Sequence, residues 1–352
     1  MKIYWMQPGE IDSVSGGYIY NRNIIEGIRA QSIDVELFNP GIDFPFPSKA
    51  SRDKCREFFQ KRESQSIVVV DSLILGSISN LIKEFAAKFT IVGIIHLPLS
   101  LSPSFTNDVK KRFKQDEIES FNYSKILIVT SEYSKSEIVK MGITEAKIHV
   151  VTPGINSVIE QRNYPEKPKN LICVSNISSS KGQLDLVIAL ENLRHFDWKL
   201  TFCGGYDEQD EYYKKIRHRI TASGMDSRIV FTGEISPSET EKYYKEADLF
   251  ILTSYFETYS MVVQEAMAFK LPIIAANSGA VAQTASSLVA KFYNPGDTAE
   301  LEKQLLPLLT NKIVYYKLIH GFNRLNLKFL PWSKKAVQFL HIVEKYYAPG
   351  SN

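Results

Sequence analysis

Cysteine is scarce in this chain. Three of the 352 residues are cysteine, Cys55, Cys173 and Cys203, and no paired spacing links them. That argues against a disulfide-stapled scaffold. Two of the three fall in apolar, strand-like runs, where a free thiol behaves as a small buried hydrophobe, and a reducing compartment fits. An excess of one charge is also lacking. The 42 Lys and Arg against 39 Asp and Glu leave +3, which is not the balance of a strongly basic nucleic-acid binder and leaves room only for local patches. No run approaches the roughly 18 apolar residues of a membrane span. The first residues, Met1-Lys-Ile-Tyr-Trp-Met-Gln-Pro8, lack the longer apolar core of a signal peptide. The expectation is a soluble, cytoplasmic protein, or one attached to a membrane surface. There is no Gly-x-x-x-x-Gly-Lys-Ser/Thr loop, no Gly-x-Ser-x-Gly elbow and no Cys/His metal spacing. No metal site is expected, and no short repeat or low-complexity tract is present.

What is there is an alternation of strand-length apolar runs with helix-prone stretches. A first series covers 2–6, 35–38, 66–70, 90–95, 125–130 and 147–151. A second covers 170–175, 199–203, 228–232, 249–252 and 272–275. Several runs are continuously apolar, the pattern of parallel strands covered on both faces. The alternation predicts a doubly wound α/β architecture. The two series meet at 156–169, where two prolines and several charges suggest a linker. With 352 residues there is room for two cores. The expected domains are 1–160 and 161–330. The closing segment, 331–352, holds a last helix near 333–347 with apolar residues at Val337, Leu340 and Val343 and lysines between.

The most informative stretch runs from Ser254 to Ala268. Glu257 and Glu265 stand eight positions apart, between the strand-like run 247–253 and the helix-prone run 262–269. One carboxylate lies in the loop and the other a turn or more into the helix. Backbone N–H groups at a helix start have no intrahelical partners and sit at the positive end of the dipole, a ready site for a diphosphate. A carboxylate on each side can accept hydrogen bonds from sugar hydroxyls, so the pattern suggests a nucleotide-sugar site. Three further features lie at the carboxyl ends of strands, where ligands bind in open α/β sheets. Gly16 and Gly17, in Ser13-Val-Ser-Gly-Gly-Tyr18, would let a backbone approach a ligand, though a pair of glycines equally fits a plain turn. His96 closes the run 90–95. It can be structural, or can hydrogen-bond a sugar hydroxyl or a departing phosphate. Lys181 opens a helix starting near Gln183, where an ammonium opposes the dipole unless an anion is near; the bland reading is an exposed lysine. Gly204 and Gly205 end another strand and would admit a base or ribose. The run Val109-Lys-Lys-Arg-Phe-Lys114 reads as a solvated helix face or as a weak surface for anionic lipid.

Taken together, these residues resemble the family-4 retaining glycosyltransferases of the GT-B fold, over almost the whole chain. Glu257 and Glu265, with Ala266-Met-Ala-Phe-Lys-Leu-Pro-Ile-Ile-Ala275, look like the family's E-x7-E segment. Ser180-Lys-Gly182 resembles its lysine-glycine element and Gly16-Gly17 its amino-terminal glycine loop. The segments 126–134 and 148–154 look like the strands ending its first domain, and Leu330-Pro-Trp-Ser333 like the crossover into its last helix. The resemblance implies two Rossmann-like parallel-sheet domains facing a central cleft, acceptor-binding at 1–160 and donor-binding at 161–330. The helix in 331–352 would pack back on the first. It implies transfer of a hexosyl unit, with retention and without a metal, from a nucleoside-diphosphate sugar, UDP- or GDP-linked, to an acceptor hydroxyl. No cofactor is implied. The implied partners are that donor and a saccharide or lipid-linked saccharide. The basic stretch Lys110–Lys114 points to cell-envelope polysaccharide or glycolipid synthesis at the inner membrane face.

By the same resemblance, Glu265 would bind the ribose, and Glu257 would hold donor-sugar hydroxyls. Lys181 would neutralise the diphosphate with amides around Thr258, Tyr259, Ser260 and Met261. Gly16, Gly17, Asn176 and Gly204 would line the donor or acceptor, and His96 would contact the sugar. With no Asp-x-Asp element for a divalent metal, positive charge would come from Lys181 and backbone amides. The chain departs from the family at Asn176, where an arginine is usual. It also has Gly279-Ala280 for Gly-Gly, Gln283 for a frequent acid and Asn156 for a common aspartate. The loss of that arginine leaves open a non-catalytic nucleotide-sugar binder or partner subunit.

Overall fold

The computed structural model describes residues 2–13 and 15–347. Val14 of the glycine loop, Met1, and 348–352 of the expected last segment lie outside the described residues. The chain divides into two compact units. Unit 1 comprises residues 1–156 and 330–352, and unit 2 comprises 157–329.

In unit 1 the chain runs β1 (Lys2–Met6), α1 (Gly16–Arg29), β2 (Asp34–Phe38), α2 (Lys49–Lys61), β3 (Ile67–Asp71), α3 (Ser72–Leu75), α4 (Ser79–Phe85) and β4 (Thr90–Ile95). It continues through α5 (Asn107–Tyr123), β5 (Ile126–Val129), α6 (Glu132–Lys140) and β6 (Ile148–Val150). All strands pair in parallel, in the order β2-β1-β3-β4-β5-β6. Every residue of β3 and β5 is buried, because helices cover both faces.

Unit 2 runs β7 (Asn170–Val174), α7 (Gln183–Asn192), β8 (Lys199–Cys203), α8 (Glu211–Ala222), β9 (Ile229–Phe231) and α9 (Pro237–Glu246). Then follow β10 (Leu249–Leu252), α10 (Met261–Ala268), β11 (Ile273–Ala276), α11 (Val281–Thr284), β12 (Ala290–Tyr293), α12 (Thr298–Thr310) and α13 (Lys312–Gly321). The parallel order is β12-β11-β10-β7-β8-β9. Strand β12 had no counterpart among the apolar runs; its four residues include Lys291 and only its ends are fully buried. One core lies on each face of this sheet, one around Trp198 and Phe202 and one around Phe250 and Phe269.

The chain re-enters unit 1 as α14 (Trp332–Tyr346). Phe339 stacks on Trp5 with ring centroids 5.6 Å apart, and Trp332 meets Tyr20 edge-on at 5.5 Å. The buried Lys335 ammonium donates to Thr152 Oγ1 at 2.6 Å. Cys55, Cys173 and Cys203 are free and buried, and burial pushes each thiol up to about 12. Among the described residues no helix is long and apolar enough to cross a membrane.

The segment 157–169 is tied to unit 2 rather than slack. Arg162 donates to the carbonyls of Tyr244, Lys245 and Phe269 at 2.9–3.0 Å, and to that of Ala247. These are the orphan carbonyls at the carboxyl ends of α9 and α10, where a cation also suits the dipole.

Candidate functional site

Both sheets reverse direction of growth beside their first strand. In unit 2 this switch point lies between β7 and β10, and in unit 1 between β1 and β3. Loops leaving adjacent strands there diverge and open a crevice at the carboxyl edge.

In unit 2 the two loops at the switch carry Lys181 and Glu257. The loop after β7 winds into a 3-10 turn over Ser179–Lys181, and Gly182 then takes a left-handed conformation before α7. A Cβ at Gly182 would lie 2.4 Å from the Thr253 carbonyl oxygen, so only glycine permits this approach of the two loops. Thr253 Oγ1 donates to the Lys181 carbonyl at 2.6 Å, and Tyr255 N–H to that of Ser180 at 3.0 Å. So fixed, Lys181 Nζ lies 2.7 Å from Glu257 Oε1, with side chains 32% and 14% exposed. The ammonium and the first glutamate, 76 positions apart, form one ion pair at the sheet edge.

Glu257 is held from behind. Its carbonyl accepts from Ala280 N–H at 2.8 Å, and a Cβ at Gly279 would come within 2.0 Å of that oxygen. Thr258 and Tyr259 lead to Ser260, a non-glycine residue at φ 71°, and Met261 then begins α10. Thr284 Oγ1 donates to the Tyr259 carbonyl. Ser260 Oγ is buried and has no hydrogen-bond partner among the described residues. Left-handed backbone without glycine costs energy and persists only where the surroundings enforce it, commonly at ligand sites.

Glu265 lies one turn into α10, and its partner differs from that of Glu257. Tyr244 donates to its Oε2 at 2.8 Å. Burial pushes its carboxyl up to about 7, against the opposing effect of the Tyr244 hydroxyl, and nearby Glu241 adds to the rise. Asn176 Oδ1 accepts from Gly205 N–H at 2.9 Å, beside Gly204, so this side chain staples the loop after β7 to the loop after β8. Tyr244 was not evident from sequence. It sits on α9, 21 positions from Glu265, with no motif linking the two.

In unit 1 the loops after β1, β3 and β4 converge. His96 follows β4, and its Nε2 lies 2.8 Å from Asn21 Oδ1 and 3.6 Å from Asp71 Oδ2. Gly17, in the first turn of α1, packs on the ring; a Cβ there would lie 3.1 Å from His96 Cδ2. Gly16 is the first residue of α1 and faces no acidic residue in that turn. Burial lowers the His96 pKa, and the Asp71 carboxylate raises it by less. Asn21, Asp71 and Gln7 were missed by sequence reasoning, although Asp71 ends the apolar run 66–70 and so stands at the ligand-binding edge.

Comparison with known proteins places these sites in context. Residues 154–321 match the family model described as glycosyl transferases group 1. Mannosylfructose-phosphate synthase of Agrobacterium fabrum is 22% identical over 250 residues, covering 65% of this chain and 55% of the relative. The chain spans about half the length of the curated relatives it matches. Sucrose-phosphate synthase from Thermosynechococcus elongatus superposes with a TM-score of 0.78 at 16% identity, over 99% of this chain and 100% of that one. Anabaena Alr3699/HepE in complex with UDP and glucose superposes with a TM-score of 0.74 at 16% identity, over 98% and 99%. The chain therefore has the GT-B fold, two α/β units each built on a parallel sheet, and the stretch 154–321 is similar to glycosyl transferases group 1.

Proposed function

We propose that this chain transfers a hexosyl unit from a nucleoside-diphosphate sugar to an acceptor hydroxyl, retaining the anomeric configuration and needing no metal. The observation that carries the reading is the Lys181–Glu257 pair at the switch point of unit 2. In the proposed reaction the bond from the anomeric carbon to the diphosphate breaks, and its electrons leave with the nucleotide. Lys181 and the amides from Thr258 to Met261 stabilise that charge; fixed donors of this kind usually supply the largest share of catalysis. The acceptor oxygen bonds to the same face of the sugar, and its proton passes to the departing phosphate oxygen. Glu257 holds sugar hydroxyls and Glu265 the ribose, while Asn176 and Gly204 line the donor side. On unit 1, Gly16, Gly17 and His96 serve the sugar or the acceptor.

The Anabaena structure, solved with UDP and glucose, favours a UDP-hexose as donor. The acceptor we favour is a saccharide or lipid-linked saccharide of envelope polysaccharide or glycolipid synthesis, met at the cytoplasmic membrane face. Helix α5 supports that choice. Lys110, Lys111, Arg112 and Lys114 lie on the same helix as Phe113, whose buried ring packs against Phe105 and against Phe46, which is 55% exposed. Sedimentation with anionic vesicles at low salt checks this part; no binding removes it.

The test of the reaction is incubation with UDP- and GDP-hexoses and candidate acceptors, with the product linkage read by NMR. An inverted linkage contradicts the mechanism. A second reading, a non-catalytic nucleotide-sugar binder, rests on Asn176, whose side chain is committed to Gly205. Nucleotide release that depends on acceptor decides for the enzyme.

A further inference from the structure

The polar network around His96 has a direction that geometry alone fixes. Asn21 is buried, and its amide nitrogen lies 3.0 Å from Asp71 Oδ2 and 3.2 Å from Gln7 Oε1. A carboxylate only accepts hydrogen bonds. The reverse amide orientation would set two acceptor oxygens against each other in a buried site, which is costly. Asp71 itself is held in place, since its Oδ1 accepts from Leu73 N–H at 2.9 Å at the start of α3. Asn21 therefore turns Oδ1 towards His96, and the facing ring nitrogen at 2.8 Å must carry the proton.

We infer that Asp71, acting through Asn21, holds His96 in its Nε2–H form, so that the Nδ1 lone pair accepts a hydrogen bond from a substrate hydroxyl. The inference rests on the nucleotide-sugar reading and sharpens it. Sequence left open whether His96 meets a sugar hydroxyl or a phosphate. An ionised phosphate oxygen has no proton to offer, so a bare Nδ1 selects the hydroxyl. The ring is neutral at pH 7, since burial disfavours the imidazolium more than Asp71 favours it. The other neighbours are uncharged. Tyr20 packs edge-on at 5.3 Å, and the Tyr18 hydroxyl is committed to the Pro8 carbonyl. Gly17 covers the Cδ2 edge, while the side chain keeps 17% exposure. Among the described residues the ring makes no other hydrogen bond. Asp71 and Asn21 are thus positioning residues and His96 is the binding group.

The experiment is ring-15N NMR of histidine-labelled full chain without ligand, with the His96 signals assigned by their loss in His96→Gln. The expected wild-type state at pH 7.5 has a protonated Nε2 and a bare Nδ1. Asp71→Asn keeps an acceptor for Leu73 N–H and turns an amide NH2 towards Asn21. Asn21 then flips, and the His96 tautomer reverses to Nδ1–H. A wild-type ring protonated at Nδ1, or a tautomer unmoved by Asp71→Asn, overturns the relay. Calorimetry tests the hydroxyl: Asp71→Asn should weaken UDP-glucose by about tenfold, as expected for one lost hydrogen bond with an unpaired group left behind, and leave UDP within twofold. Equal losses for both ligands overturn the hydroxyl assignment. Wild type that binds neither ligand overturns the nucleotide-sugar reading and the hydroxyl assignment with it, while the NMR result still decides the tautomer.

Discussion

Glu265 offers the most quantitative test of the proposed donor site. In the ligand-free protein its carboxyl titrates at about 7, raised from 4.5 chiefly by burial. Ribose hydroxyls donate to a carboxylate, so the proposed contact favours the ionised form. When only that form binds, the apparent dissociation constant scales as one plus ten to the power of pKa minus pH. With a pKa near 7 the factor is about 11 at pH 6 and about 1.1 at pH 8. Affinity should therefore rise about tenfold across that interval. The ligand to use is UDP-glucose without acceptor, because a terminal phosphate such as that of UDP titrates near 6 and would blur the effect. Isothermal calorimetry at pH 6, 7 and 8 gives the constants. Repeating pH 7 in buffers of different ionisation enthalpy counts the proton released, about half of one per nucleotide sugar bound.

Two variants give the prediction its edge. Glu265→Gln should bind more weakly and with no dependence on pH between 6 and 8. Tyr244→Phe removes the hydroxyl that lowers the Glu265 pKa, so the midpoint should move up by about one unit, the shift expected for one hydrogen bond to a charged group. Stability carries the opposite sign. The folded pKa lies above the ordinary value, so this group's contribution is complete below 4.5 and is lost as pH rises through 7. Thermal unfolding of Glu265→Gln should then depend less on pH over that range. Wild-type affinity that stays level from pH 6 to 8, or a Gln variant that keeps the slope, refutes the ribose assignment.

Lys181→Ala should lower the rate of transfer by about 10²–10³-fold, the usual cost of removing one oxyanion-type donor; initial rates under saturating donor check it, and near wild-type turnover rules out the role. Arg162→Ala leaves carbonyls of α9 and α10 unpaired and should destabilise unit 2 by about 2–4 kcal/mol, read by urea unfolding; a change under ~0.5 kcal/mol contradicts the anchoring role. Gly279→Ala places a Cβ against the Glu257 carbonyl at a φ of +54°. It should weaken UDP-glucose at least tenfold while the protein remains folded, and an unchanged affinity shows that the Glu257 loop does not depend on that approach.

The architecture was legible because its signal is local. A strand buried on both faces reads as an unbroken apolar run, as at 66–70 and 249–252, and such runs mark most of both sheets. Strand β12 escaped because its four residues are buried only at the ends and include Lys291. The segment 156–169 reads as a linker by its prolines and charges, yet Arg162 fastens it to unit 2 through backbone carbonyls, and a carbonyl leaves no trace in side-chain identity.

The candidate residues of the two units differed in the same way. In unit 2, Glu257, Ser260 and Glu265 lie within nine consecutive residues, so their spacing alone announced a helix start between two carboxylates. Lys181 stands 76 positions from Glu257 and was legible as a cation at a helix start, where it opposes the dipole unless an anion is near; that its partner is Glu257 follows from the strand order, with β7 and β10 adjacent across the switch point. In unit 1 the partners are Gln7 after β1, Asn21 inside α1, Asp71 at the end of β3 and His96 after β4. Each is an ordinary residue in an ordinary place. Asn21 in particular reads from sequence as a polar interruption of a helix that otherwise buries Tyr20, Ile24, Ile25 and Ile28. What brings it into the cluster around His96 is that β1 and β3 are neighbours while β2 lies on the far side of β1. That ordering brings a carboxylate from one strand end beneath an amide following another, and no periodicity along the chain encodes it. Spacing therefore reveals groups that sit at a recognisable helix start, as Lys181, Glu257 and Glu265 do, whereas polar partners with no such local signal, as Gln7, Asn21 and Asp71, appear only once the strand order is known.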